Sequence, residues 1–249
     1  MRMRRLHPGA VDEVDTLDAY AVPAAGAHLR VNMVTGLDGA AAVDGRVGGL
    51  TGPADQALLH QLRALCDVLL VGAGTVRAEG YGPLELTADE QRRRVATGQA
   101  PMPRTAVVTR TLDLDLTAPV FTAATARPLL VTCAAADSTR VSAASSVADV
   151  VVAGSDSVDL REARDQLAAA GLTRVLSEGG PRTFTRLLEA DVVDEVCLAI
   201  APVLTAGRGP RITDGALLDP LRSLELGHVL ERDGFLFLRY VRTTTGSTG

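Results

Sequence analysis

The sequence has 249 residues and a formal net charge of -5; 47% of it is hydrophobic, yet only 3% is aromatic and tryptophan is absent. A chain of this length buries roughly 70 to 75% of its unfolded surface, so Ala, Val and Leu must build the core of an α/β protein of one or two domains. The acidic balance, without a clustered basic face, argues against a nucleic-acid partner, and no run of about eighteen apolar residues marks a membrane span.

The amino terminus, MRMRRLHPGAVDEVD, is basic but has no apolar stretch behind it, so it does not read as a secretion signal. Residues 1–27 read as an arm, extended or in a short helix, packed on the body, and no interdomain linker or repeat follows. Leu29 to Val34 is the first strand, running into Thr35-Gly36-Leu37-Asp38-Gly39 and a small-residue loop that continues to Gly48-Gly49. Such a loop suits a segment that lies against a flat ligand or moves over it. Thr51-Gly52-Pro53 starts a helix whose buried stripe is Leu58, Leu62 and Leu65, with Arg63 pointing elsewhere.

Asp67 to Val71 is the next strand, followed by Gly72-Ala73-Gly74-Thr75 opening a short helix. Gly-x-Gly after a strand suggests a Rossmann fingerprint, but Arg77 stands at the third glycine and no strand ending in an acidic residue follows about twenty positions later. Residues 81–103 form a polar insertion, helical around Ala88 to Val95, and Arg92-Arg93-Arg94 reads as a solvated face. Thr105 to Thr109, ending at Arg110, Pro128 to Thr132 and Val147 to Val152 are strands of the type found in parallel sheets. Asp159 to Ala170 is an amphipathic helix with a capping-box pair, Asp159 and Glu162, closed by Gly171.

The stretch from Arg174 to Thr205 then reads as strand, glycine turn, helix and strand. Its first strand stops at Ser177-Glu178-Gly179-Gly180, where adjacent glycines let the backbone turn sharply and approach a ligand. Pro181 suits the first helical position. Free N–H groups at a helix start favour an anion such as a pyrophosphate, with Glu178 just ahead of them. Beyond an Ala206 to Arg211 loop, Leu224 to Leu230 and Phe235 to Val241 alternate as a hairpin around Asp233-Gly234. Residues 243–249 read as a disordered tail, leaving 28–242 as one domain. Cys66, Cys133 and Cys197 form no C-x-x-C pair, which suggests buried thiols in the cytoplasm. His7, His28, His60 and His228 are scattered, so no metal site is expected.

Taken in order, Leu37-Asp38-Gly39, Thr51-Gly52-Pro53, Leu62-Arg63-Ala64, Val71-Gly72-Ala73-Gly74-Thr75-Val76, Glu178-Gly179-Gly180-Pro181 and Leu188-Glu189-Ala190 through Val193-Asp194-Glu195 to Ala201-Pro202 resemble the reductase domain of the bifunctional riboflavin-biosynthesis deaminase/reductase family. The resemblance spans about residues 29–241 and implies a dihydrofolate-reductase-like α/β fold: a mixed, mostly parallel sheet flanked by helices with a C-terminal antiparallel hairpin. It implies NADPH-dependent reduction of the ribosyl group of 5-amino-6-(5-phosphoribosylamino)uracil, a small-molecule substrate, by a homodimer. It also implies cofactor contacts at Gly49, Gly74, Thr75, Glu79, Gly179, Gly180, Pro181, Arg182 and Thr183, with Arg110 pairing the 2′-phosphate through its guanidinium fork. Glu178 would orient the substrate and Arg63 meet its phosphate, while Asp38 would either shape its loop or assist proton transfer.

The chemistry asks mainly for placement of the nicotinamide carbon against the carbon that receives hydride, with a donor near the oxygen that gains a proton. The sequence departs from the family where Ala40 follows Leu-Asp-Gly in place of Lys or Arg, where Val47 stands for a serine, and where Leu86 stands for a second phosphate-binding arginine. Such losses weaken recognition of a charged ligand by on the order of several kcal/mol unless Arg46, Arg77 or Arg208 compensates. The zinc-deaminase pattern H-x-E with P-C-x-x-C is absent from the sequence. A dihydropterin substrate and a non-catalytic NADP-binding role remain the alternatives.

Overall fold

The structure, a computed structural model, describes residues 1–22 and 26–243, with the side chain of Glu79 outside the description. In chain order the elements are strands β1 (Arg2–His7) and β2 (Val11–Asp15), helix α1 (Thr16–Ala19), β3 (His28–Thr35), α2 (Pro53–Leu65), β4 (Val68–Gly72), α3 (Ala73–Glu79) and α4 (Ala88–Ala96). Next come β5 (Arg104–Val108), α5 (Pro119–Thr122), β6 (Leu129–Thr132), α6 (Ser138–Ser145), β7 (Asp149–Val152) and α7 (Leu160–Ala169). The chain finishes with β8 (Arg174–Ser177), α8 (Pro181–Glu189), β9 (Glu195–Ile200), β10 (Leu224–Arg232) and β11 (Phe235–Arg242). Residues 244–249 of the expected tail lie outside the described residues.

One 11-stranded sheet runs β2-β1-β10-β11-β9-β3-β8-β4-β5-β6-β7. Neighbours are parallel from β9 to β7 and antiparallel from β2 to β9. The parallel strands are Val/Leu runs because both their faces are covered. In β4, Leu69 and Val71 pack toward Leu58 and Leu62 of α2, whereas Val68 and Leu70 pack toward α7 and α8 through Leu167, Phe184 and Leu187. This period-two division builds two cores, one on each side of the sheet. The hairpin β10–β11 turns at Asp233-Gly234 with positive φ of 55° and 81°, which suits the twist of its strands. Among the described residues no helix is long and apolar enough to cross a membrane, and the three cysteines are buried and free.

Three local expectations change. The first fifteen residues add a two-stranded hairpin to the sheet edge, β1 pairing with β10 and β2 with β1. Met3 points inward while Arg2 and Arg4 bond Glu13 and Glu231 at 2.9 and 3.1 Å, so charges that hid the alternation cover an edge that could otherwise pair with another chain. Arg94 is buried: it donates to the carbonyls of Ala64, Cys66 and Ala100 and holds the end of α2. At α7, Asp159 caps the Arg161 and Glu162 amides as expected, but the Glu162 carboxylate reaches out to the Gly154 amide, leaving the capping box half made.

Inside the sheet, the fully buried Glu195 accepts from Arg30 at 2.6 Å, Arg239 at 2.9 Å and the His28 ring at 3.0 Å. Burial works against its charge, but these partners hold the carboxyl far below the usual range. A carboxylate with this many partners locks β3, β9 and β11 in register, because removing it strands Arg30 in the interior. Next to this cluster His228 is buried, with its ring edge-on to Tyr20 at 4.8 Å and no partner for Nε2 among the described residues.

Burial, then the charge of Arg239, lowers His228 to about 4. Because the unfolded histidine takes up a proton near pH 6.5, its contribution is complete above that pH and is lost as pH falls toward 4. The urea-unfolding free energy of the protein should drop by on the order of 2 kcal/mol across this window. His228→Phe should flatten the slope, and equal slopes in protein and variant would refute the assignment.

Candidate active site

Where parallel strands end and the chain reverses direction across a sheet, a crevice opens beyond their carboxyl ends. Here β8 returns to the middle of the sheet between β3 and β4, so the turns after β8 and β4 lie side by side. At the first, Glu178 N–H donates to Leu70 O at 3.0 Å, and at the second, Thr75 Oγ1 accepts from Gly180 N–H at 3.1 Å. A Cβ on Gly72 would lie 2.6 Å from Thr183 Oγ1, and one on Gly179 would lie 2.5 Å from Thr183 Cβ. Both turns therefore need glycine to admit that one threonine.

Two cavities meet at this junction and share Ala41, Val47, Gly180 and Pro181. The larger, about 920 Å³, runs along Gly72, Gly74, Thr75, Arg110, Arg182, Thr183 and Arg186. The first N–H groups of α8 have no partner within the helix and suit an anion. Arg182 is turned out to Asp214 at 3.0 Å, Arg186 donates to Val158 O at 2.6 Å, and Arg110 lies on the lobe wall. A cradle of glycine turns, a helix start and guanidinium groups fits a dinucleotide.

The smaller cavity, about 430 Å³, is lined by Asn32 of β3, by Thr51 before α2, by Asp55, Gln56, Leu59 and Arg63 of α2, by Tyr81 to Leu84 and by Glu178. Leu58 and Leu62 of α2 are committed to the core, and Asp55, Gln56, Leu59 and Arg63 beside them form one wall. Arg63 holds Glu178 by two bonds of 2.7 and 2.6 Å, and Tyr81 donates to the same carboxylate at 2.5 Å. Burial works to lower the Arg63 pKa, but the bonds and charge of Glu178 outweigh it and raise it; burial, then the Glu178 charge, raises Tyr81. Asp55 is 6% exposed, and burial raises its carboxyl, with a Thr51 hydrogen bond opposing the rise and the Glu178 charge adding to it. The arrangement holds a carboxylate, a guanidinium and a neutral phenol at the point where the two lobes meet.

Most expected site residues are therefore together: Gly74, Thr75, Arg110 and Gly180 to Thr183 along the larger lobe, and Arg63 and Glu178 in the smaller. Gly179 lines the smaller lobe at their junction. Glu79 ends α3, but its side chain lies outside the described residues. Two others are not on the cavity walls. Gly49 packs against Val43 within its own loop, and Asp38 accepts from Thr205 N, Thr205 Oγ1 and Ala206 N at 2.8, 3.1 and 2.7 Å. Backbone bonds from Ala206 and Thr205 pull Asp38 down to about 2, so it stays an anion and ties the 36–49 loop to the segment after β9. Arg63 also differs from expectation, because its fork is occupied by Glu178.

Sequence reasoning missed Tyr81, Asn32 and Asp55. Tyr81 was signalled by an aromatic between Gly80 and Gly82, and Asn32 by a lone amide in an apolar strand. Asp55 reads as an ordinary acid in the first turn of a helix.

A parallel sheet carrying a two-lobed cleft, with glycine turns and a helix start in one lobe and paired charges in the other, defines a nucleotide-dependent α/β enzyme. Residues 27–233 match the RibD C-terminal domain, and the chain belongs to that family. Similar curated relatives include the 2,5-diamino-6-ribosylamino-4(3H)-pyrimidinone 5′-phosphate reductases of Methanothermobacter thermautotrophicus and Archaeoglobus fulgidus. The first is 31% identical over 202 residues, covering 78% of this chain and 87% of the relative. The second is 29% identical over 190 residues, covering 76% and 86%. A pyrimidine reductase-like protein from Corynebacterium diphtheriae superposes with a TM-score of 0.79 at 27% identity, over 92% of this chain and 98% of that one. The fold is dihydrofolate-reductase-like, and the chain is an oxidoreductase that uses a nicotinamide nucleotide.

Because Thr183 fills the space a Cβ at position 179 would need, Gly179→Ala should push apart the turns that line both lobes. NADPH affinity, read by fluorescence titration, should fall by about tenfold or more with the fold retained by circular dichroism; unchanged affinity would show that this junction does not bear on the larger lobe.

Proposed function

We propose that the protein reduces the ribosyl group of a ribosylaminopyrimidine 5′-phosphate to a ribityl chain, with NADPH as the hydride source. The observation that carries this reading is the Gly179-Gly180-Pro181 turn, which borders both lobes, so that a nucleotide along α8 and a sugar beside Glu178 would meet there. The resemblance supports 5-amino-6-(5-phosphoribosylamino)uracil as substrate, and the curated relatives, which are diaminopyrimidinone phosphate reductases, support its diaminopyrimidinone counterpart; both present the same reacting sugar carbon.

The nicotinamide supplies a hydride, and this chain's residues supply placement and a proton. The first amides of α8, with Thr75, would hold the pyrophosphate, and Arg110 the 2′-phosphate that separates NADPH from NADH. Glu178, kept in one rotamer by Arg63 and Tyr81, orients the sugar. Tyr81 holds a proton at its hydroxyl oxygen on that carboxylate, where it can serve the oxygen released when the sugar ring opens. Ala41 and Val47 border both lobes at the junction. Cytoplasmic location, suggested by three free buried thiols, and a homodimer complete this reading; sedimentation velocity tests the dimer.

A second reading, reduction of a dihydropterin, is favoured by one observation: Arg63 is the sole arginine on the described wall of the smaller lobe, and it is already paired. Assays with each compound decide between them: NADPH oxidation with the ribosylaminopyrimidine phosphate supports the first, and turnover of dihydrofolate alone supports the second. NADPH should bind at least tenfold tighter than NADH, and Arg110→Ala should erase the difference; equal affinities in the unmodified protein would remove Arg110 from the 2′-phosphate. Glu178→Ala should lower kcat/KM by about a hundredfold or more while leaving the NADPH dissociation constant within about threefold. The opposite pattern would assign Glu178 to the cofactor.

A further inference from the structure

Among the charged groups of the smaller lobe, Glu178 and Arg63 satisfy each other, and Asp55 stands apart. It sits in the first turn of α2, more than nine-tenths buried, on the cavity wall with Thr51, and no cation pairs with it among the described residues. A carboxylate offers about four lone-pair positions, and one hydroxyl uses one of them. Burial in this position costs free energy unless something completes the set. Elsewhere the lobe is apolar or neutral: Met33, Val34, Leu59, Pro83 and Leu84 could cover the faces of a flat ring.

We propose that Asp55 selects the substrate heterocycle by accepting two hydrogen bonds from adjacent ring N–H and exocyclic amino donors, the edge presented by a 2-amino-4-oxopyrimidine. A 2,4-dioxopyrimidine offers a carbonyl at the corresponding exocyclic position, which repels the carboxylate. The inference rests on the reductase reading, and it makes the amino form the preferred substrate. A pterin carries the same edge, so the dihydrofolate assay distinguishes which ring bears it.

The test compares kcat/KM for the 2-amino-4-oxo and 2,4-dioxo ribosylaminopyrimidine 5′-phosphates at saturating NADPH, in the full chain and in Asp55→Asn. The amino compound should be preferred by about tenfold to a hundredfold. Asp55→Asn should bring the ratio near one, mainly through KM, with NADPH affinity unchanged. Equal use of both compounds by the unmodified protein, or an equal loss on both in the variant, would overturn the proposal and leave Asp55 as a helix-start acid. If Asp55→Asn does not fold, Asp55→Glu, which keeps the charge but displaces it, should reduce the same ratio; an unchanged ratio refutes the contact. If neither compound is reduced, the proposed function fails. Calorimetric titration of 2-amino-4-oxopyrimidine and of uracil into the NADPH complex then reads the contact alone: about tenfold tighter binding of the former sustains it, and equal binding ends it.

Discussion

The cleft depends on one side chain, that of Thr183, wedged between the turns that follow β4 and β8. Because Thr183 approaches the Cβ-less faces of Gly72 and Gly179, the start of α8 is set against the start of α3 at a fixed spacing. The Thr75–Gly180 bond closes the same gap from the other side. Two lobes that share Ala41, Val47, Gly180 and Pro181 have to keep their separation if groups are to react across them, since transfer between bound groups tolerates little misplacement. A single packed contact supplies that constraint more rigidly than a loop could.

The smaller lobe has an unusual charge balance. Arg63, Glu178 and Tyr81 form a closed set in which each acceptor already has its donor, and such a set in a low-dielectric pocket resists rearrangement. The phosphate of a substrate is therefore poorly served by Arg63 unless Glu178 gives it up. Arg77 lies on the larger lobe with its guanidinium on the Asp113 carbonyl, while Arg46 and Arg208 line neither cavity. Of Ala40, Val47 and Leu86, the positions where the resemblance implies polar groups, only Val47 lines the lobe, and it brings no polar group there. Outside the closed set, the polar groups on the lobe wall are Asn32, Thr51, Asp55 and Gln56.

Much of this could be read from the residue order. The strand–glycine turn–helix–strand stretch around Glu178, the parallel strands and the Asp233-Gly234 hairpin all announce themselves through local period and turn chemistry, because β-alternation and positive φ leave marks in adjacent residues. The β1–β2 hairpin did not, since its alternation is carried by Met3 against arginines and its partner strand lies more than two hundred residues away. Tyr81 and Asp55 were harder to read: the glycines flanking Tyr81 mark a turn but not the carboxylate it meets across the cleft, and nothing within a few positions separates Asp55 from an ordinary helix-start acid. Arg94 was misread for the same reason. A triple-arginine run looks solvated until tertiary structure turns one member inward.

That inward arginine has a bearing on the cavity it never touches. By satisfying the carbonyls at the trailing end of α2, Arg94 fixes how far the helix can slide or pivot along the sheet, and the far end of that helix carries Asp55. Helix α4, part of what reads as a polar insertion, thus works as a splint, and the calibre of the smaller lobe is set in part from outside it.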